Sequence, residues 1–137
     1  MSFPTATFRN KLFAPHPACR LNFFERAGSP QAGGNACLVF VHGGSWVSNN
    51  RELPETSPNN GYELCNYVLN NATAQKWSVA SIDFRQGAYD GVVVPHSFPS
   101  YFPEPANDTG SAVQWLKDNA TDLDLNPDKI VLFGSSA

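Results

Sequence analysis

Three short runs of the chain are dominated by apolar residues and show no regular alternation with polar positions. They are Ala36–Val41, Ser78–Phe84 and Lys129–Phe133. Such runs are typical of strands that are covered on both faces, which is the usual environment of parallel strands. The pattern therefore predicts three adjacent strands of one sheet, and it predicts that Lys129–Phe133 is a central strand.

Two segments between these strands show the spacing of an amphipathic helix. The first helix is predicted over residues 61–75, and the second from Ala106 or Asn107 to Leu123. The apolar stripes are Tyr62, Cys65, Leu69 and Ala72 in the first helix, and Val113, Leu116, Ala120 and Leu123, with Trp115 beside them, in the second. Alternating strands and helices predict an α/β fold with a mainly parallel sheet and helices on both faces.

The remaining segments are predicted to be irregular or to lie at the sheet edge. Residues 1–19 are expected to form an irregular N-terminal segment with one extended run around Phe8–Phe13, and the α/β domain is expected to cover residues 20–137. Arg20–Arg26 fits an edge strand that ends at a turn-rich stretch. Residues 48–60 are predicted to be a polar loop. Residues 86–105 form a long connection, and a connection of this length is more often functional than idle.

Composition narrows the class of protein. The chain has 137 residues, a net charge of −3, 42% hydrophobic residues and 15% charged residues. The acidic balance removes the electrostatic reason to expect nucleic acid or an anionic membrane as a partner. No stretch approaches the ~20 apolar residues that span a bilayer, and residues 1–20 lack the apolar core of a secretory signal. A cytoplasmic location is therefore expected.

The three cysteines point to thiols rather than to disulfides or a metal site. Cys19, Cys37 and Cys65 cannot all pair with one another, and their spacing is not that of metal ligands. We expect reduced thiols, with Cys37 and Cys65 acting as small buried apolar residues.

A first candidate catalytic motif directly follows the first predicted strand: His42-Gly43-Gly44-Ser45-Trp46. Consecutive glycines let the backbone turn tightly and direct N–H groups into a cleft, where they can stabilise a developing oxyanion. The alternative is a simple turn at the end of a strand, since Gly-Gly marks many of those. The pattern alone leaves both interpretations open.

A second candidate follows the last apolar strand: Gly134-Ser135-Ser136-Ala137. In a G-x-S-x-G elbow the serine sits on a sharp turn from strand to helix, and its neighbours are small because the backbone is crowded there. The first glycine, the serine and a small fourth residue are present. As an isolated tetrapeptide, this run is also compatible with an ordinary loop.

The combination is more specific than either motif. His42-Gly43-Gly44 after one strand, Asp83-Phe84-Arg85 after the next and Gly134-Ser135-Ser136-Ala137 after a third keep one order along the chain. This arrangement resembles the N-terminal half of an α/β-hydrolase of the esterase and lipase group, which includes hormone-sensitive-lipase-like esterases and kynurenine formamidases. The resemblance covers roughly residues 20–137, and it implies that the strand ending at Val41 lies between the other two.

The resemblance also implies roles for individual residues. Ser136 would be the catalytic nucleophile, and backbone N–H groups of Gly43, Gly44 and Ala137 would form the oxyanion hole. His42 would hold the loop and would not be the general base. Trp46 and Tyr101 are candidates for lining a substrate pocket, although packing against the loop explains them equally well. Asp83 and Arg85 are expected to form a structural ion pair near the strand end.

The implied activity is hydrolysis of a carboxylic ester through an acyl-serine intermediate, with a small-molecule acyl ester or amide as substrate and no metal or organic cofactor. An arylformamidase acting on an N-formyl amide is the alternative enzyme. In the family the acid and the histidine follow the nucleophile, whereas His16, His42 and His96 all precede Ser136. The chain is therefore expected to be incomplete and inactive as it stands, and a truncated product or a non-catalytic pseudoenzyme is the alternative of another class. His96, in the long connection, is the upstream histidine that could serve as a substitute base, although a lone histidine in a loop is more often solvated.

Overall fold

In the computed structural model of the protein, residues 6–43, 51–52, 61–70, 76–85 and 103–134 are described. These residues form five strands and two helices, which alternate in the predicted manner from the third strand onward. In chain order they are β1 (Phe8–Leu12), β2 (Arg20–Phe24), β3 (Asn35–Val41), α1 (Gly61–Asn70), β4 (Ser78–Ile82), α2 (Pro103–Asp118) and β5 (Leu125–Gly134).

The strands form one sheet in the order β1-β2-β4-β3-β5. β3 is parallel to both β4 and β5, so the predicted adjacency of the three apolar strands, with the strand ending at Val41 in the middle, is confirmed. β2 is antiparallel to both β1 and β4. The α/β class is confirmed, but the sheet is mixed rather than mainly parallel.

Alternate residues of β3 point into two separate cores. Cys37 and Val39 belong to the core that includes residues of α2, whereas Leu38 and Phe40 belong to the core that includes residues of α1. All four are buried. Helices thus cover both faces of the sheet, and this two-sided cover is the reason that the strand lacks polar alternation.

Helix α1 lies close to the sheet. Cys65 and Leu69 are buried, as the predicted stripe requires. At Gly61, the first residue of the helix, an added Cβ would overlap the ring of Phe40. A glycine is therefore needed where the helix starts against this strand. Residues 71–75 of the predicted helix lie outside the described residues.

Helix α2 begins earlier and ends earlier than predicted. It starts at Pro103, which lacks the N–H that the first turn of a helix leaves unpaired. It ends at Asp118, and residues 119–124 form turns. Its buried stripe is built on Ala112 and Leu116, while Val113 is only half-buried. The stripe is therefore displaced by one residue from the predicted one at this point.

Strand β2 corrects the prediction of an edge strand over Arg20–Arg26. It lies between β1 and β4 and is buried from Leu21 to Phe24. The strand beside it, β1, falls within residues 1–19, which were expected to be irregular, and coincides with their extended run. Because β1 supplies the outer partner, β2 is an interior strand.

Strand β5 corrects the prediction of a central strand over Lys129–Phe133. It runs from Leu125 to Gly134 and lies at the edge of the described sheet, where Val131, Leu132 and Phe133 are 44%, 53% and 38% exposed. The strand also includes Pro127. Its register with β3 shifts between Asn35 and Cys37 of β3, and an edge position with such an irregularity is where a strand tolerates proline.

The cysteines are free and buried, so the prediction that Cys37 and Cys65 act as buried apolar residues is confirmed. Neither helix in the described part of the chain has the length and apolar character needed to cross a membrane.

Candidate active site

The carboxyl ends of the three parallel strands meet at one edge of the sheet. Val41, the last residue of β3, is the register partner of Ile82 in β4 and of Gly134 in β5. The three strands therefore end at the same edge of the sheet. Open α/β sheets bind their ligands at this edge. It is the edge at which the sequence predicts both chemical motifs.

His42 is the first residue beyond β3, and it is fully buried. Its Nε2 lies 3.3 Å from Oδ1 of Asp83, and its Nδ1 lies 2.8 Å from the carbonyl oxygen of Gly43. The imidazole also stacks on the ring of Phe84, with 4.6 Å between centroids and 18° between planes. His42 thus joins the start of its own motif, His42–Trp46, which we call the glycine loop, to the end of β4. This geometry agrees with a supporting role for the ring.

Asp83 is the first residue beyond β4, and its carboxylate contacts the glycine loop and the chain beyond it. Oδ1 accepts a hydrogen bond of 2.7 Å from the backbone N–H of Arg51, and Oδ2 pairs with the Arg51 guanidinium. The backbone N–H of Asp83 donates to the carbonyl oxygen of Arg20 over 2.8 Å, which extends the contact between β2 and β4 by one residue. Asp83 is therefore fixed by the sheet and holds Arg51 in turn.

Arg85 forms an ion pair with Asp108 of α2. Its Nη2 lies 2.8 Å from Oδ1 of Asp108, its Nε lies 3.0 Å from Oδ2, and its backbone N–H donates to Oδ2 over 2.8 Å. Glu104 adds a longer contact of 3.6 Å. The hydrogen bonds that the Arg85 guanidinium donates to Asp108 raise the pKa of Arg85 above its usual value. This ion pair fastens the start of the segment after β4 to α2.

The predicted ion pair between Asp83 and Arg85 is therefore wrong. Each residue has a nearer partner that another element supplies: Arg51 for Asp83 and Asp108 for Arg85. The two residues are two positions apart in the sequence, but each side chain pairs with a residue from another part of the chain.

The structure describes only part of the predicted site. Gly43 lies at the expected edge beside the end of β3, and Gly134, which begins the serine-containing run, lies at the end of the neighbouring strand. The other predicted site residues lie outside the described residues: Gly44, Trp46, His96, Tyr101, Ser136 and Ala137. In the part of the chain that is described, no group of three His, Cys, Asp or Glu side chains is arranged to hold a metal ion.

Sequence reasoning missed the polar residues that support this edge. Asn22 is fully buried in β2, where its Oδ1 accepts hydrogen bonds from Nε of Arg51 (3.1 Å) and from the backbone N–H of Asn10 (3.0 Å). Its Nδ2 donates to Oε1 of Glu52 over 3.1 Å. The one signal in the sequence was the asparagine itself, because a buried amide within an apolar strand requires polar partners.

A comparison with protein families identifies the chain. A family model described as BD-FAE matches residues 28–137. The chain belongs to the BD-FAE family. Among curated proteins, this BD-FAE chain is 30% identical over 129 residues to Esterase LipC of Mycobacterium tuberculosis, covering 94% of the chain and 27% of that protein. It is 29% identical over 104 residues to an arylesterase of Saccharolobus solfataricus, covering 75% of the chain and 27% of that protein.

Solved structures agree with this assignment at the level of the fold. The structure of Thermogutta terrifontis esterase 2 phosphonylated by cyclosarin has a TM-score of 0.70 and 21% identity, covering 97% of the BD-FAE chain and 43% of the esterase chain. The expected resemblance to α/β-hydrolase esterases is confirmed. The chain spans about a quarter of the length of the curated relatives, at 27% of each of the two named above.

Proposed function

We propose that the protein hydrolyses carboxylic esters through an acyl-serine intermediate on Ser136. The observation that carries the proposal is the register of Val41 with Gly134. Adjacent strands are ~4.8 Å apart, so the glycine motif and the serine-containing run start as close neighbours at the ligand-binding edge. Membership in the BD-FAE family and the similarity to proteins named esterase and arylesterase support the same reaction class.

The proposed mechanism needs an activated hydroxyl and a site for the oxyanion. The Ser136 Oγ attacks the carbonyl carbon, a general base takes the hydroxyl proton, and that proton then passes to the leaving alcohol. Water hydrolyses the acyl-serine, which releases the carboxylic acid and restores the hydroxyl. The N–H groups of Gly43, Gly44 and Ala137 are the proposed donors to the oxyanion, and each such donor typically contributes about 3–4 kcal/mol to the transition state.

Trp46 and Tyr101 are proposed to line the pocket for the acyl or alcohol group. The proposed substrate is therefore a small-molecule ester. Neither His42 nor Asp83 is proposed as the general base or acid, because His42 is fully buried against Phe84 and Asp83 is engaged by Arg51.

The deciding experiment is covalent labelling with a fluorophosphonate, a reagent that reacts with activated serines. Thermogutta terrifontis esterase 2 is phosphonylated by cyclosarin in one of the similar structures, which makes this chemistry a suitable probe. The protein is expressed with any coding sequence that continues beyond Ala137. We expect one adduct on Ser136, abolished by Ser136→Ala and retained by Ser135→Ala, the matched neighbour. Labelling that survives Ser136→Ala would overturn the proposal.

Turnover then separates the ester from the amide reaction. A short-chain acetyl ester and an N-formyl arylamine are compared with the same preparation. The ester is expected to have the higher kcat/KM. A preference for the formyl amide would replace esterase by arylformamidase activity while keeping Ser136 as the nucleophile.

A further inference from the structure

The carboxylate of Asp83 contacts residues on both sides of the segment 43–50. On one side its Oδ1 lies 3.3 Å from Nε2 of His42, and on the other it accepts the backbone N–H of Arg51 over 2.7 Å. We infer that Asp83 is the positioning residue of the glycine loop and acts by fixing the chain at His42 and at Arg51. The inference rests on the proposed function in so far as this loop supplies oxyanion donors.

Asp83 is suited to this role because the sheet holds its own backbone. Its N–H donates to the Arg20 carbonyl oxygen over 2.8 Å, and its side chain is only 15% exposed. A short side chain on a fixed backbone has few conformations to lose, so its oxygens act as rigid acceptors. The position of the Asp83 carboxylate is therefore set by β2 and β4 and not by the residues that it holds.

The return point at Arg51 is held through both of its backbone polar groups. Asp83 accepts from its N–H, and the hydroxyl of Ser81 donates to its carbonyl oxygen over 2.7 Å. Ser81 is fully buried and lies in β4, two residues before Asp83. Two side chains from the end of one strand thus fix both backbone polar groups of a single residue.

The side chain of Arg51 extends the attachment to the antiparallel part of the sheet. Its Nε donates to Oδ1 of Asn22 over 3.1 Å, and its guanidinium also contacts Asn10. The guanidinium itself is 16% exposed and pairs with Asp83. Loss of Asp83 would leave a largely buried cation without its carboxylate, which is a costly arrangement.

The departure point at His42 connects this support to a proposed oxyanion donor. Nδ1 of His42 lies 2.8 Å from the carbonyl oxygen of Gly43. That carbonyl shares a planar peptide unit with the N–H of Gly44, so restraining the oxygen restrains the plane of the unit. Asp83 acts on this unit through His42. It is therefore a positioning residue and takes no part in the chemistry.

Amide hydrogen exchange measured by NMR on the 137-residue chain tests the inference without any activity. In Asp83→Ala, the protection of the Arg51 amide is expected to fall at least about tenfold, because its acceptor is removed. Asp83→Asn keeps one acceptor oxygen and is expected to fall between wild type and alanine. The imidazole ¹⁵N signals of His42 are expected to shift in both variants.

Asp108→Ala is the matched control. Asp108 accepts from the backbone N–H and guanidinium of Arg85 in the same manner as Asp83 does from Arg51. It is expected to lower the protection of the Arg85 amide and to leave the Arg51 amide and the His42 signals unchanged. If Asp83→Ala fails to fold, Asp83→Asn replaces it, because it removes the charge that pairs with the Arg51 guanidinium and should lower protection at Arg51 severalfold. Unchanged protection at Arg51 in Asp83→Ala, or in Asp83→Asn when that variant has to replace it, overturns the inference.

Activity separates this inference from the proposed function. In a preparation that hydrolyses esters, Asp83→Asn is expected to lower kcat about tenfold or more while KM changes less than threefold, because oxyanion donors act mainly in the transition state. An unchanged kcat with altered exchange at Arg51 would overturn the link to the oxyanion loop. If wild type shows no Ser136-dependent activity, the proposed function fails, while the exchange experiment still decides the role of Asp83.

Discussion

Gly34 has a backbone conformation and close backbone neighbours that both disfavour a side chain. Its φ is +97°, and an added Cβ would lie 2.5 Å from the carbonyl carbon and oxygen of Leu125. These atoms belong to the backbone of β5, so a side-chain rearrangement does not relieve the overlap. The adjacent residue, Asn35, donates its N–H to the Asp124 carbonyl oxygen over 2.7 Å, which keeps the two segments together.

We therefore expect Gly34→Ala to lower the free energy of unfolding by about 2–4 kcal/mol, from the unfavourable φ together with the overlap. Gly110→Ala is the matched control, because Gly110 lies in α2 with no atom within 4 Å of an added Cβ. That substitution should be neutral or stabilising by up to about 1 kcal/mol, since alanine favours the helix. Urea unfolding of both variants checks the pair. Equal stability of Gly34→Ala and wild type would contradict the argument.

The buried thiols give the stability a dependence on alkaline pH. Burial raises the pKa of Cys37 and of Cys65 from 9.0 to about 12. Between these values the unfolded thiols release their protons while the folded thiols retain them. Stability from the two thiols is thus fully present below pH 9 and is lost as the pH rises towards 12, by up to about 1.4 kcal/mol per thiol and pH unit.

The free energy of unfolding at pH 8 and at pH 10.5, compared between wild type and Cys65→Ala, measures this dependence. The variant starts from a lower stability because of the cavity, but its loss between the two pH values should be smaller, since one of the thiols is gone. Groups that titrate in both proteins cancel in the comparison. Parallel losses in the two proteins would show that the Cys65 thiol does not have a raised pKa.

At the scale of elements, the sequence predicts the position of a strand along the chain well when both faces of the strand are covered. β3 and β4 are predicted within two residues at either end because their apolar runs reflect cover on both faces. The positions of β2 and β5 in the sheet are not predictable from their own residues. β2 is an interior strand because of β1, and β5 has the composition of a central strand while lying at the edge of the described sheet. Apolar composition reports burial preference, and the neighbours of a strand are set by the rest of the chain.

The exposed apolar side chains of β5 predict self-association of the 137-residue chain. Leu132 is 53% exposed, and its neighbours Val131 and Phe133 are 44% and 38% exposed, so apolar side chains are accessible on both faces of an edge strand. Such an edge pairs readily with another chain. Leu132→Lys should reduce the concentration-dependent association seen in sedimentation velocity, because a charged side chain opposes edge-to-edge pairing.

Tyr67→Lys provides the matched control for this prediction. Tyr67 is 63% exposed on α1 rather than on the edge strand, and the substitution introduces the same charge. The association should remain close to that of wild type. If both variants dissociate equally, net charge rather than the β5 edge controls the association.

At the scale of the whole molecule, the strand end from which Gly43 follows is predictable from the sequence, whereas the contacts that support this edge of the sheet are not. The position of Gly43 at the carboxyl edge follows from the order of strands and motifs along the chain. The network of Asp83, Arg51 and Asn22 joins residues up to 32 positions apart, and no local pattern reports such contacts. The sequence also suggests a pairing between Asp83 and Arg85 on proximity alone. Ion pairs depend on which elements the fold brings alongside, so adjacent charges in a sequence are weak indicators.

The 137-residue chain by itself is expected to lack esterase activity. A serine hydroxyl requires a base, and each of the three histidines precedes Ser136. His42 is fully buried between Asp83 and Phe84, and Nδ1 of His16 accepts the N–H of Ala18 over 3.1 Å. When the triad is incomplete, the oxyanion donors and substrate binding alone accelerate the reaction only about 10³–10⁴-fold over the rate in water.

We therefore expect the chain and its Ser136→Ala variant to hydrolyse p-nitrophenyl acetate at the same background rate. Ser135→Ala is the matched control, because it makes the same substitution at the adjacent serine. A version extended through any coding sequence beyond Ala137 should show a large, Ser136-dependent gain. A Ser136-dependent rate in the 137-residue chain would instead identify an upstream base. His96→Ala would then be the decisive variant, because His96 is the histidine that the sequence sets in the long connection between β4 and α2.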